Sequence, residues 1–178
     1  MIAVNTSKVK NLQEADGFIT NKAGFLLLIF TADCLPVIIY EKNGKAVGIT
    51  HCGWKSTYKG IAIRAIKKMI RNYKLEIRNL RVVFGPSIHP CCYEVSKDLI
   101  DKFERKFGKV GTVVRKGKYY LDLEKINTEQ LKRMGIKGRN ISKNKYCTHC
   151  ETKKYYSYRR DGKGTGRMVT GVMIDSGM

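Results

Sequence analysis

Two short segments of the chain contain residue types that suit a small reaction centre. The first reads Thr-Ala-Asp-Cys-Leu-Pro over residues 31–36, and the second reads His-Cys-Gly-Trp over residues 51–54. Each stands where an apolar stretch with the composition of a strand ends, and loops at strand ends expose side chains on a rigid scaffold. Thiolate and imidazole groups bind metals, and imidazole also carries protons. We therefore interpret Cys34 and His51 as candidates for one shared site.

The elements around these two segments predict how the candidates meet. Apolar stretches at residues 25–30, 37–40 and 46–50 are predicted as strands. The Asn43-Gly44 pair between the last two strands favours a type I′ hairpin. Such a hairpin brings the residues beyond its two open ends together, so Cys34 and His51 are expected to face each other across it.

Further along the chain, residue patterns predict three helices. Apolar residues recur at helical spacing from Ile61 to Tyr73, and Ser56 or Thr57 could cap this helix. A second helix is predicted over residues 96–107, and a third begins after Asp122 and ends near residue 135. Additional strands are predicted at residues 80–84, 110–115, 118–121, 155–158 and 168–174. This order of elements predicts one α+β domain.

The composition indicates a folded protein with a strong positive charge. Hydrophobic residues make up 43% of the chain, which excludes a disordered protein, and 35 Lys and Arg against 15 Asp and Glu give a net charge of +20. Such a surface attracts anionic substrates and polyanions. The basic residues are spread along most of the chain, which favours a solvated surface over nucleic-acid binding as the main function.

The apolar runs and the cysteines favour a cytoplasmic protein without a membrane span. The longest apolar run, residues 23–32, is too short to cross a bilayer, and no secretory leader with a cleavage site precedes it. The six cysteines are too sparse for a disulfide scaffold, so they are expected to be thiols or metal ligands.

Arginines flank a glycine-rich run near the end of the chain, Gly-Lys-Gly-Thr-Gly over residues 162–166. The guanidinium groups of Arg159, Arg160 and Arg167 suit phosphate oxygens, and glycine lets the backbone approach an anion. The alternative is that these arginines pair with internal carboxylates. The run lacks the spacing of a Walker A motif. The alternating tyrosines over residues 155–158 are assigned to strand packing.

Four motifs, in the same order, resemble the YfiH family. They are the segments at 31–36 and 51–54, Gly-Pro-Ser-Ile-His-Pro-Cys-Cys-Tyr-Glu-Val over 85–95, and Tyr-Ser-Tyr-Arg-Arg-Asp-Gly-Lys-Gly-Thr-Gly-Arg-Met over 156–168. The resemblance runs from the Glu-Ala-Asp-Gly segment at 14–17 to the C-terminus. The family has long been called multicopper polyphenol oxidases or laccase-domain proteins, and was more recently assigned purine nucleoside phosphorylase activity.

The resemblance implies a single domain over residues 1–178, a layered α/β/β/α sandwich with mixed sheets, and a zinc site of two histidines and one cysteine. Cys34 and His51 match the cysteine and the second histidine, whereas the Gln-Val-His-Gly stretch that holds the first histidine is absent from this chain. His89 is the candidate replacement ligand, with a surface role as the alternative. Asp33 could orient a ligand, move a proton or cap a turn.

The two remaining cysteine motifs receive no catalytic role. The Cys147-Thr-His-Cys150 segment has a Cys-x-x-Cys spacing, but one such pair without a second is a weak metal signal. The vicinal Cys91 and Cys92 fit the pattern of the family, and we interpret them as loop packing near the site.

The implied function is zinc-dependent phosphorolysis of a purine nucleoside, such as adenosine, inosine, guanosine or methylthioadenosine, to the free base and ribose 1-phosphate. Adenosine deamination is an additional expected activity. One alternative is a copper-dependent polyphenol oxidase, although three histidines are few for a multicopper centre. Others are a thiolate–imidazolium nucleophile without metal, and a non-catalytic remnant that binds nucleic acid or protein through its basic surface.

Overall fold

A six-stranded mixed sheet lies at the centre of the structure, a computed structural model that describes residues 2–3 and 15–175. Within these residues the strands are β1 (Ile2–Ala3), β2 (Gly17–Thr20), β3 (Leu27–Thr31), β4 (Leu35–Glu41), β5 (Val47–Cys52), β6 (Leu80–Phe84), β7 (Glu94–Val95), β8 (Thr112–Arg115), β9 (Lys118–Leu121), β10 (Ile141–Ser142) and β11 (Met168–Val172). The helices are α1 (Trp54–Tyr58), α2 (Ile61–Tyr73), α3 (Lys97–Phe107), α4 (Leu123–Arg133) and α5 (Tyr158–Asp161). The central sheet has the order β1-β2-β5-β4-β6-β10.

Strand β4 shows how the central sheet contributes to two cores. Val37 and Ile39 pack into a large cluster with apolar residues of helices α2, α3 and α4, whereas Ile38 packs into a second, smaller cluster. Alternate residues of a strand face opposite sides of the sheet. A strand buried on both faces therefore needs the nearly continuous apolar run that this segment has.

The second cluster lies between the central sheet and a small antiparallel sheet made of β3 and β11. Leu27 and Ile29 of β3 pack against Val47 and Ile49 of β5. Helices, the central sheet and this smaller sheet confirm the layered α+β arrangement with mixed sheets. Alternate residues on the outer side of β3, such as Phe30, are exposed within the described part of the chain.

Most of the predicted elements are confirmed where the residue pattern was strong. Helix α2 spans the predicted residues, and Ser96 and Asp122 cap α3 and α4 by accepting hydrogen bonds from the amides of Leu99 and Lys125. The β8–β9 hairpin also forms. Among the described residues, no helix combines the length and apolar character that crossing a bilayer requires.

The hairpin between β4 and β5 forms, but its turn is not of type I′. Tyr40 lies opposite Val47, so the connection is longer than two residues, and Asn43 does not adopt the positive φ that a type I′ turn requires, whereas Gly44 does. The buried carboxylate of Glu41 accepts hydrogen bonds from the amides of Asn43 and Lys45, at 2.8 and 3.4 Å. These side-chain contacts favour the wider turn.

The predicted cap of α2 by Ser56 or Thr57 is wrong. Both residues lie inside the short helix α1, and α2 begins after Gly60, which has a left-handed φ of 68°. The Ser56 hydroxyl donates to Asp16 Oδ2 at 2.6 Å, and the Thr57 hydroxyl donates to the carbonyl of Cys52 at 3.3 Å. Tertiary contacts thus use both hydroxyls.

The strand predicted at residues 155–158 is also wrong. Ser157 is the N-cap of α5, where its hydroxyl accepts a hydrogen bond from the Arg160 amide at 3.3 Å and donates one to Asp33 Oδ2 at 3.0 Å. The alternation of tyrosines imitates a strand pattern, but no partner strand pairs with this segment in the described residues.

Candidate active site

The β4–β5 hairpin brings Cys34 and His51 to one place. Pro36 pairs with His51 and Leu35 with Cys52, so Cys34 lies just beyond the paired residues, close to Gly53. A Cβ atom at Gly53 would lie 3.0 Å from Cys34 Sγ and 3.9 Å from His51 Nε2. The missing side chain of this glycine therefore leaves space between the sulfur and the imidazole nitrogen.

Both residues line a cavity of about 280 Å³. Its remaining wall is made by two arginines, three aromatic rings and a short polar segment: Phe30, Thr31, Ala32, Asp33, Tyr93, Tyr158, Arg159 and Arg167. The volume is near the lower end of the range for small-molecule sites. A soft metal-ligand pair, cationic side chains and flat apolar rings thus share one cavity.

Asp16 supports His51 and was not singled out from the sequence. Its Oδ1 lies 3.8 Å from His51 Nδ1, and its backbone carbonyl accepts a hydrogen bond from the His51 amide at 2.7 Å. The Ser56 hydroxyl holds the other carboxylate oxygen. A carboxylate beside one ring nitrogen leaves the other nitrogen free to bind a ligand. The only feature of the sequence that could have indicated Asp16 is its position in the Glu-Ala-Asp-Gly segment, where the resemblance to the family begins.

Burial keeps Cys34 and His51 uncharged near neutral pH. Burial raises the pKa of the Cys34 thiol to about 11, and the negative charges of Asp33 and Asp16 add to the effect. Burial lowers the pKa of His51, although Asp16 opposes that shift. A thiolate–imidazolium nucleophile needs shifts in the opposite directions. A bound cation would instead replace the thiol proton and stabilise the thiolate.

The donor atoms of Cys34 and His51 fit zinc, which prefers sulfur and imidazole nitrogen ligands. A catalytic zinc generally takes three protein ligands and keeps one position for water or substrate. No third cysteine, histidine or carboxylate within residues 15–175 forms a compact ligand group with this pair. The described residues therefore bring together two donor groups of the three that such a site generally uses.

His89, the candidate replacement ligand, does not line this cavity. Its Nε2 is buried without a hydrogen-bond partner, and the ring lies close enough to Glu124 to influence that carboxyl group. Burial raises the pKa of Glu124, and the positive charge of Lys143 opposes the rise. The structure thus brings Cys34 and His51 together and leaves His89 apart from them.

Asp33 is held by hydrogen bonds on both carboxylate oxygens. Oδ1 accepts from the Thr148 hydroxyl at 2.6 Å, and Oδ2 accepts from the Ser157 hydroxyl at 3.0 Å and the Arg159 amide at 2.7 Å. The residue is 7% exposed and has a φ of 82°, a conformation unusual for a residue other than glycine. These contacts favour a role in positioning the surrounding loops.

The three candidate arginines separate into two groups. Arg159 and Arg167 line the cavity, but Arg160 does not. The Arg160 guanidinium donates to both carboxylate oxygens of Asp161 at 2.8 Å and to three carbonyls, those of Thr148, His149 and Tyr155. Arg160 therefore pairs with groups of the chain itself, which was the alternative to phosphate binding. Arg159 donates to the Glu94 carbonyl at 2.6 Å and lies 5.3 Å from the centre of the Tyr93 ring.

The aromatic wall of the cavity was missed from the sequence. Tyr93 and Tyr158 contribute to it together with Phe30, whereas Tyr155 and Tyr156 do not. Burial, with a smaller effect of the nearby Cys34, raises the pKa of Tyr93 to about 12, so its hydroxyl stays protonated. The alternating tyrosines predict strand packing for Tyr158, whereas in the structure this residue begins helix α5 and lines the cavity.

Two pairs of cysteines that are far apart in sequence lie next to each other in the structure. Sulfur atoms of Cys91, Cys92, Cys147 and Cys150 all lie within 4.8 Å of one another. A bridge between Ser87 and Cys147, outside the main strands, connects the two loops that carry them. The interpretation of Cys91 and Cys92 as simple loop packing is therefore incomplete, because a long-range contact supplies the second pair.

Comparison with known proteins places these features in a family. A family model described as multi-copper polyphenol oxidoreductase laccase matches residues 1–175. A purine nucleoside phosphorylase of Clostridium acetobutylicum is 36% identical over 174 residues, which cover 97% of this chain and 72% of that protein. A protein named adenosine deaminase RL5, from an unknown prokaryotic organism, is 28% identical over 165 residues, covering 90% of this chain and 63% of that protein.

Solved structures give the same result. YfiH of Bacillus licheniformis superposes with a TM-score of 0.84 at 34% identity, over 90% of this chain and 61% of that one. YlmD of Geobacillus stearothermophilus superposes with a TM-score of 0.85 at 31% identity, over 92% of this chain and 62% of that one. The chain thus spans about three fifths of the length of these two structures. It belongs to the multi-copper polyphenol oxidoreductase laccase family, in which curated relatives are named as purine nucleoside phosphorylases.

Proposed function

We propose that this chain is a zinc-dependent purine nucleoside phosphorylase that uses the cavity around Cys34 and His51. Its substrates would be inorganic phosphate and a purine nucleoside such as adenosine, inosine, guanosine or methylthioadenosine. The observation that carries the proposal is the convergence of a thiol, an imidazole, two guanidinium groups and three aromatic rings on one cavity. The names of the curated relatives support it.

Cys34 Sγ and His51 Nε2 would hold the zinc ion, and Asp16 would fix the orientation of the imidazole. When bound, zinc supplies a Lewis acid that stabilises developing negative charge. The remaining steps depend on residues of the chain itself.

Arg159 and Arg167 are the candidates for binding phosphate, because guanidinium groups form charge-assisted hydrogen bonds with phosphate oxygens. Phosphorolysis forms a bond between a phosphate oxygen and C1′ of the ribose, and it breaks the bond between C1′ and the purine nitrogen. The electron pair of the broken bond moves to the purine. Two fixed cations beside the attacking anion would position it for this step.

The aromatic wall suits the purine. Phe30 and Tyr158 offer exposed ring surface, and a flat base gains by stacking on aromatic rings. The Tyr93 hydroxyl, which stays protonated because burial raises its pKa, could donate a hydrogen bond to the departing base. These residues would therefore bind the base and stabilise its charge.

A second candidate reaction is deamination of adenosine in the same cavity, which the relative named adenosine deaminase RL5 favours. Copper oxidase chemistry has less support from the ligands present. The three histidines of the chain, His51, His89 and His149, form no compact ligand group within the described residues.

Product analysis distinguishes these reactions. The purified chain is loaded with zinc and incubated with adenosine, with and without inorganic phosphate, and the products are separated by chromatography. We expect adenine and ribose 1-phosphate in equal amounts, and only when phosphate is present. Inosine formed without phosphate would support the deaminase instead, and release of adenine without phosphate would contradict phosphorolysis.

A matched pair of variants tests the phosphate site. Arg167→Gln removes a guanidinium from the cavity and should raise the KM for phosphate by about tenfold or more. Arg64→Gln removes the same group from the surface of helix α2, outside the cavity, and should leave the KM unchanged. Equal effects of the two substitutions would show that Arg167 has no specific role.

A further inference from the structure

A group of four thiols lies outside the proposed active site. Cys91 and Cys92 belong to the turn after Pro90, and Cys147 and Cys150 belong to a turn that precedes α5. All four sulfur atoms lie within 4.8 Å of one another. None of the four cysteines lines the cavity that holds Cys34 and His51.

We propose that Cys91, Cys92, Cys147 and Cys150 bind one zinc ion in a tetrahedral structural site. This site is independent of the proposed phosphorylase activity, because it uses neither Cys34 nor His51.

The sulfur positions have the spacing that a single tetrahedral ion requires. With zinc–sulfur bonds of about 2.3 Å, the sulfur atoms of a tetrahedral site are about 3.8 Å apart. Cys91 and Cys150 are 3.7 Å apart, and Cys92 and Cys150 are 3.3 Å apart. Since no pair of the four sulfur atoms is more than 4.8 Å apart, placing one ion among them needs only small side-chain adjustments. An iron–sulfur cluster, which places several atoms between its ligands, would need the sulfurs farther apart.

Backbone hydrogen bonds hold both turns in position. The amides of Cys92 and Tyr93 donate to the His89 carbonyl at 3.0 and 2.9 Å, and the amides of Cys150 and Glu151 donate to the Cys147 carbonyl at 3.1 and 3.0 Å. The two turns also contact each other, since the His89 amide donates to Cys147 Sγ at 3.4 Å. An amide directed at the sulfur stabilises a thiolate ligand.

A disulfide explains the arrangement less well than a metal does. All four cysteines are free thiols, and Cys150 Sγ lies 3.7 Å from Cys91 Sγ and 3.3 Å from Cys92 Sγ, so it has no single partner for a disulfide. A single ion uses all four. The exposure of Cys91 and Cys150 also gives an ion a path from solvent.

The location of the site indicates what zinc would do. Tyr93, on the cavity wall, directly follows Cys92, and Thr148, between the other two ligands, donates to Asp33. Arg159 is tied to the first loop through the Glu94 carbonyl. An ion that links the two turns would therefore stabilise the loops that form one wall of the cavity.

Cobalt substitution tests the site directly. The chain is reduced, freed of metal with a chelator and then titrated with Co²⁺ in the absence of oxygen. Cobalt is used because its complex with four thiolates absorbs strongly in the visible range. We expect one equivalent of cobalt with this spectrum in the wild-type chain and in Cys34→Ala. The signal should be lost in the Cys91→Ser, Cys150→Ser double variant, and added Zn²⁺ should displace the cobalt. The melting temperature of the zinc-loaded Cys34→Ala chain, which lacks a ligand of the other proposed site, should fall when a chelator removes the ion.

Two single variants keep the test valid if the double variant does not fold. Cys91 and Cys150 are exposed, so Cys91→Ser and Cys150→Ser should fold and should each change the spectrum. The proposal is overturned if the wild-type chain gives no thiolate–cobalt spectrum, or if both single variants keep the wild-type spectrum. Peptide mass spectrometry that finds a disulfide among the four residues in freshly purified protein would also overturn it. Loss of the spectrum in Cys34→Ala would also overturn it, because cobalt would then be bound at the site of Cys34 and His51.

Discussion

At the scale of single residues, Cys34 and its neighbour Asp33 have different environments. Cys34 and His51 are uncharged without a metal and have donor atoms on an open cavity. Asp33 is adjacent to Cys34 in sequence, but its two oxygens are occupied by three donors from distant parts of the chain. Neighbouring side chains thus differ in environment because they meet different partners.

Substitution of Asp33 by asparagine should destabilise the protein. The amide NH₂ of asparagine would face a hydrogen-bond donor where a carboxylate oxygen now accepts, and buried polar groups without partners cost about 1–3 kcal/mol in the free energy of unfolding. Urea denaturation measures this loss. Asp101→Asn is the matched control, because it weakens only an exposed ion pair with Lys97, which solvent screens, and should change the free energy of unfolding much less. Equal losses in the two variants would contradict the structural role of Asp33.

At the scale of elements, the β4–β5 hairpin and the start of α1 create the candidate metal site. The strand register sets Cys34 close to Gly53, and helix α1 begins directly after this glycine. Gly53 has an ordinary backbone conformation, with φ of −68° and ψ of 175°. Its importance is therefore the space that it leaves between sulfur and imidazole.

Gly53→Ala should weaken metal binding more than it weakens the fold. The added methyl group would lie 3.0 Å from Cys34 Sγ, closer than ordinary contact, so the ligand must shift. We expect the dissociation constant for zinc at this site to rise by about tenfold or more, measured by competition with a chromophoric chelator in chains that also carry Cys91→Ser and Cys150→Ser, which removes the four-cysteine group. In Gly138→Ala the new methyl group meets its nearest neighbour, Lys132 Cε, at 3.5 Å, and zinc affinity should not change. Unchanged affinity in Gly53→Ala would argue against zinc between Cys34 and His51.

The elements also show how far sequence patterns reach. Helix α2 is predictable because its apolar residues recur at one period, and the β4–β5 hairpin is predictable because its strands are adjacent in sequence. The type of turn in this hairpin is not predictable in the same way. The Glu41 carboxylate binds the Asn43 amide, and this contact competes with the preference of the Asn-Gly pair for a type I′ turn. Tyr158 and Asp16 join the site through contacts that depend on the tertiary fold. The four-cysteine group likewise depends on a contact between loops far apart in sequence.

At the scale of the whole molecule, two properties stand out: layered packing and charge. Two apolar clusters on opposite faces of the central sheet hold the layers together. The net charge of +20 acts across the entire surface, and like charges repel in the compact state. Helix α2 concentrates this charge, since Arg64, Lys67, Lys68 and Arg71 lie together on one patch.

Salt should therefore stabilise the chain. Raising sodium chloride from about 0.02 M to about 0.3 M shortens the range of charge repulsion to less than 10 Å, so the melting temperature should increase by several degrees. A variant with Arg64→Glu and Lys67→Glu has less net positive charge and should respond less to salt. A melting temperature that falls with added sodium chloride would contradict the importance of charge repulsion.

The dependence of phosphorolysis on Cys34 tests the central claim most directly. The rate of phosphate-dependent adenine release from adenosine is measured for the zinc-loaded wild-type chain and for Cys34→Ala, with circular dichroism to verify folding. If Cys34 holds the metal at the reaction centre, its loss should lower kcat/KM by about a hundredfold or more. A folded Cys34→Ala variant that releases adenine at the wild-type rate would contradict the proposed site.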